Sequence, residues 1–100
     1  MRVRHYTRVS AMRKIMAEGR IVARDQNKVF VVKASRYPLA PKAVVSRFGL
    51  ETGKGNAYVD FDVDEAALGV QLNEYAGELE YFLVGNISLT GRNANGELNR

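Results

Sequence analysis

The stretch from Ala57 to Val63 alternates apolar Ala57, Val59, Phe61 and Val63 with Tyr58, Asp60 and Asp62. A period of two sends each set to its own face of an extended strand. One face must pack on a core and the other must stay polar, so the chain has to build a one-sided sheet around this strand. The rest of the sequence supplies partners. Val3 to Thr7, Ile21 to Ala23, Val29 to Ala34, Val70 to Leu72, Glu78 to Val84 and Asn86 to Thr90 read as short strands rich in β-branched and aromatic residues. Two short helices interrupt them. Ser10 is the expected N-cap of a helix from Ala11 to Glu18 with Met12, Ile15 and Met16 on one side, closed by Gly19. Pro41 starts a second helix, with Val44, Val45 and Phe48 as its apolar side and Gly49 at its end.

Strands and helices interleave without a strict βαβ rhythm, which predicts an α+β fold with a mainly antiparallel sheet. With 100 residues there is room for one core, hence one domain spanning 1–100. The polar stretch 93–100 is expected to fray. No apolar run approaches the length of a membrane span. There is no Cys and a single His, which excludes disulfides, thiolate metal centres and multi-histidine zinc sites.

Charge is distributed unevenly. Residues 1–50 carry twelve Lys and Arg against two Asp and Glu, whereas residues 51–100 carry three against nine. Such asymmetry fits a polyanionic partner, an acidic protein partner, or halves that neutralise each other on folding.

Three features can carry chemistry. His5, inside Arg4-His5-Tyr6-Thr7, has the side chain best suited to proton handling near neutral pH. On an ideal strand His5 and Tyr6 face opposite ways, so they converge only where the strand ends or twists; otherwise His5 is a half-exposed strand residue beside a core Tyr. Asp60 and Asp62 stand side by side, followed by Asp64 and Glu65, either as a pair that can bind a divalent cation, raise one another's pKa or bind a basic partner, or as a solvated polar face. Glu78 and Glu80 share a face at a strand start, where a carboxylate can stabilise positive charge developing on a sugar. Gly53-Lys54-Gly55-Asn56 lacks P-loop spacing and reads as a hairpin turn more than a phosphate cradle.

In order along the chain, RHYT, EGRIVA, DQNKVFVV, GKGNAYVDFDV and GNISLTGRNA resemble the ADP-ribosyltransferase-like toxin domain of bacterial polymorphic toxins, named for a His–Tyr–Asp signature. The resemblance runs from about Arg4 to Ala94. It implies a small split two-sheet fold with NAD in the cleft. His5 matches the signature His, which would hydrogen-bond the NAD ribose. Tyr6 or Tyr58 would stack on nicotinamide, with Tyr6 the better positional match. Asp60 best matches the signature Asp, and Glu80 stands where related transferases place a catalytic carboxylate; Asp60, Asp62 and Glu80 all remain open for that role. Arg4 and Lys33 would meet the pyrophosphate, and Thr7 completes the cofactor-binding set. The implied activity is ADP-ribosyl transfer to a protein or RNA target, or NAD glycohydrolysis. The implied setting is a warhead of a longer secreted protein, acting in the cytoplasm of a target cell and restrained by a cognate immunity protein. A second reading is a metal-independent ribonuclease toxin of the barnase/colicin type using His5, Lys33 and Arg92. A third is a non-catalytic binding module.

Overall fold

The computed structural model describes residues 1–24, 26–74 and 77–99. The order of elements is β1 (Arg2–Thr7), α1 (Val9–Glu18), β2 (Arg20–Ile21), β3 (Lys28–Lys33), α2 (Pro41–Phe48), β4 (Ala57–Asp62), β5 (Gly69–Asn73), β6 (Glu78–Val84), β7 (Ile87–Ser88) and β8 (Asn95–Leu98). Six strands form one sheet in the order β5-β6-β3-β1-β4-β8, and β2 and β7 form a separate two-stranded ribbon. Every described pairing is antiparallel. The expected α+β class, antiparallel bias and two helices all hold.

The alternation in β4 sets the layers. Phe61, Val59 and Ala57 pair with Val3, His5 and Thr7, while Asp62, Asp60 and Tyr58 pair with Arg2, Arg4 and Tyr6. Paired residues share a face, so the first set points into the core and the second points away from it. Val3, Val29, Val31, Val59, Phe61 and Leu83 from the sheet pack with Met12 of α1, Ile21 of β2 and Ile87 of β7 in one buried cluster. Helix α1 and the β2–β7 ribbon thus cover one side of the sheet. At about 25 cal/mol per Å² of apolar surface removed from water, this cluster is the main favourable term in the fold.

Local readings need two corrections. Helix α1 is capped by Arg8, with no side-chain cap bond, so Ser10 lies inside the helix. The segment expected to fray instead forms β8, whose Asn95, Gly96, Glu97 and Leu98 pair with Asp60, Val59, Tyr58 and Ala57. Asn99 is buried and fastens this end: its amide donates to Leu39 O at 2.7 Å and Gly55 O at 2.8 Å, and its backbone N–H donates to Asn56 O. A buried amide with its donors satisfied holds a chain end that its polar sequence does not suggest.

Candidate active site

The ladder between β1 and β3 contains two residue pairs, Val3↔Lys33 and Arg4↔Val32. Beyond them β1 continues to Thr7 beside β4, while Lys28–Val31 of β3 continues beside β6. The sheet therefore divides into a β1–β4–β8 half and a β3–β6–β5 half joined at one end. A cavity of about 1020 Å³ opens at the divide, at the top of the range for small-molecule sites. Because the gap lies beside the strand and not on one face of it, side chains from both faces of β1 reach it. Arg4, His5, Tyr6 and Thr7 all line it. This is how the parting of the strands brings His5 and Tyr6 together.

His5 spans the gap. Its Nδ1 lies 2.8 Å from Phe30 O. A carbonyl oxygen can only accept, so Nδ1 carries the proton and, in the neutral ring, Nε2 keeps its lone pair. Burial pushes the His5 pKa below its usual value, with the Phe30 carbonyl acting weakly in the other direction. The ring is therefore neutral at pH 7, in a fixed tautomer.

Tyr6 is anchored by its own hydroxyl, which accepts from Leu39 N at 3.0 Å. Its ring meets Tyr58 edge-on at 5.9 Å between centroids. Tyr58 does not line the cavity. Its ring instead underlies the Arg4 guanidinium at 4.3 Å, and burial pushes its phenol pKa up.

The expected carboxylates separate. Asp60 binds Arg4 through two bonds, Nε to Oδ1 at 2.7 Å and Nη2 to Oδ2 at 2.9 Å. Arg4 is 5% and Asp60 9% exposed. A bidentate pair at this depth is strong in geometry and expensive to desolvate, so removing one partner strands the other. The bond to Asp60 raises the Arg4 pKa against the opposing effect of burial. Arg4 also lines the cavity, although its Nη1 is buried and makes no hydrogen bond among the described residues. Asp62 lies outside the cavity, bonded to Arg2 Nη1 and Asn93 Nδ2, which together lower its pKa. Asp64 caps a short 3-10 turn at Glu65–Ala67 through Ala66 N.

Glu80 does reach the cavity, from the opposite half of the sheet. Its Oε1 accepts from Gln71 Nε2 and its Oε2 from Asn73 Nδ2, each at 3.0 Å. The Glu78 side chain lies outside the described residues. Lys33 is exposed and does not line the cavity; Arg24, Lys28 and Lys54 do. Arg92 is turned to Ser88 O and Asp62 O and also lies elsewhere. The trio His5, Lys33 and Arg92 therefore does not assemble.

Sequence reading missed Lys28, Gln71 and Asn73. The signal was the alternation of Gly69, Gln71 and Asn73 with Val70 and Leu72. In the β5–β6 hairpin, Gln71 pairs with Glu80 and Asn73 with Glu78, which puts the amides on the carboxylate's face. The Gly53–Asn56 turn leads from α2 into β4 and joins no strand pair. A Cβ on Gly55 would come within 2.7 Å of Pro41 O and 2.9 Å of Val44 Cβ, so this glycine admits α2, whereas Lys54 beside it faces the cavity. Among the described residues no cluster of His, Cys, Asp and Glu could hold a metal, and no helix is long and apolar enough to cross a membrane.

Residues 3–93 match the model of a family described as HYD1 signature containing ADP-ribosyltransferase. No curated protein and no solved structure matches the chain.

Proposed function

The chain belongs to the ADP-ribosyltransferase family that contains the HYD1 signature, and from that premise we propose that its cavity binds NAD and that the protein splits the nicotinamide–ribose bond, passing ADP-ribose to a protein or RNA target or to water. One observation carries the proposal. His5 and Glu80, from the two halves of the divided sheet, line the same cavity.

The residues present fit such a substrate. Arg4, Arg24 and Lys54 place three cations on the cavity wall, and these complement a pyrophosphate. Neutral His5 offers Nε2 as an acceptor for a ribose hydroxyl, because Nδ1 is committed to Phe30 O. Tyr6, held by Leu39 N, supplies a fixed ring for nicotinamide, and Thr7 adds a hydroxyl next to it on the wall. Breaking the nicotinamide–ribose bond leaves positive charge on the ribose while the bonding pair departs with nicotinamide. Glu80 is the carboxylate that faces this charge, and holding it in place beforehand spares reorganisation as the charge develops. Asp60 and Tyr58 act at one remove by holding Arg4.

Purified protein should release nicotinamide from NAD, alone or once a cell extract supplies an acceptor. Chromatography of nicotinamide and calorimetry of NAD binding test this together. Absence of both turnover and binding across extracts overturns it. The same premise supports a toxin role: delivery as part of a longer secreted protein, action in a target cell's cytoplasm, and restraint by a cognate immunity protein. Growth arrest on expression that Glu80→Gln relieves is the expected outcome, and arrest unchanged by that substitution argues against it.

A further inference from the structure

We propose that Gln71 and Asn73 are positioning residues for Glu80, and that Lys28 sets the orientation in which Gln71 does this; the proposal rests on the NAD-cleaving reading above. Four side chains from three strands form one connected line. Lys28 Nζ donates to Gln71 Oε1 at 2.7 Å. Gln71 Nε2 donates to Glu80 Oε1 at 3.0 Å. Asn73 Nδ2 donates to Glu80 Oε2 at 3.0 Å and reaches Phe48 O at 3.4 Å.

The line has a direction. An amide is symmetric in shape but not in chemistry, and either end of Gln71 would fit its space. An ammonium can only donate, so Lys28 takes the oxygen end and turns the NH₂ end toward the carboxylate. Lys28 is itself placed from behind, with its Nζ 4.3 Å from the centroid of the Phe82 ring. Both Glu80 oxygens thus receive a donor from β5, and among the described residues no cation pairs with the carboxylate. That last point matters for chemistry. A directly paired Lys or Arg would neutralise the charge meant for the ribose, whereas two neutral amides orient the carboxylate and leave its charge available. Lys28 lines the cavity with Glu80 and is tied into the line through Gln71.

Two near-isosteric substitutions separate positioning from a merely structural role. Gln71→Glu keeps an acceptor for Lys28, loses the donor to Glu80 and sets a second carboxylate against it, so the uncharged Gln71→Met is its control. Gln71→Met loses both. If Gln71 positions Glu80, Gln71→Glu lowers kcat for nicotinamide release by about tenfold to a hundredfold, while KM for NAD stays within about threefold. Gln71→Met then falls as well, though no further than Gln71→Glu. If Gln71 serves only to tether Lys28, Gln71→Met keeps the native kcat and loses only stability; that result overturns the proposal. Asn73→Asp makes the same test at the other oxygen, should Gln71→Glu fail to fold. Glu80→Gln, measured in parallel, distinguishes the two levels. A dead Glu80→Gln with a native-rate Gln71→Glu and Asn73→Asp sinks the positioning role alone. A fully active Glu80→Gln sinks the catalytic reading, and the positioning role with it.

Discussion

Asp60 and Glu80 are both sheet carboxylates with both oxygens engaged, yet they belong to opposite economies of charge. Asp60, in the β1–β4–β8 half, is bonded twice by a guanidinium and buried. Its charge is spent inside the molecule. Glu80, in the β3–β6–β5 half, is held by two neutral amides at the wall of a cavity. The lesson is that the kind of partner, more than the number of hydrogen bonds, separates a carboxylate that holds a fold from one that can answer a charge on a ligand.

Substitutions can break that contrast from either side. The largest effect is expected at Asp60. Asp60→Asn leaves Arg4 charged and half-paired in the interior, and should cost about 3–5 kcal/mol of stability, read as a lowered denaturant midpoint. An Asp60→Asn protein of native stability contradicts the assignment of Asp60 to the fold. Glu80→Gln should do the reverse: losing one of the two amide bonds costs only about 1 kcal/mol of stability, while nicotinamide release falls about a hundredfold to a thousandfold. Tyr6→Phe removes the acceptor for Leu39 N and should cost about 1 kcal/mol, seen as a modest shift in the midpoint and a weaker grip on NAD by calorimetry.

The smallest effect is one of pH. Burial lowers the His5 pKa in the folded chain, so the unfolded chain takes up the proton first as pH falls, near about 6.5. Stability is then insensitive to this residue above about pH 6.5, declines as pH drops below that value, and levels off once folded His5 is also protonated. Urea midpoints measured downward from pH 7.5 should show this decline in the native protein and lose it in His5→Asn.

Much of this was legible in the sequence where the pattern is local. The alternation from Ala57 to Val63 identifies the strand and places Asp60 and Asp62 on the face away from the core, as the pairing with β1 confirms. Strand β6 spans Glu78–Val84 as read, and Pro41 and Gly49 bracket α2. What stayed hidden depends on distant partners. Nothing near Asn95 signals that β4 will pair with it, because the partner lies more than thirty residues earlier. Lys33 and Lys28 stand at the two ends of the same strand and on its opposite faces, but alternation does not say which end meets the cavity. Only the two-pair ladder with β1 leaves Lys33 beside Val3 and outside the cavity, with Lys28 beyond the divide and on its wall. Likewise Gln71 is an ordinary strand amide until the hairpin register sets it against Glu80.

The fastening of Asn99 reaches further than the rim where it sits. Its amide grips the carbonyl of Leu39, and the N–H of that same residue grips the phenol of Tyr6. A nick or a bulky fusion at that strand would therefore be felt two residues' worth of bonding away, as slack in the aromatic floor on which a flat ring would rest.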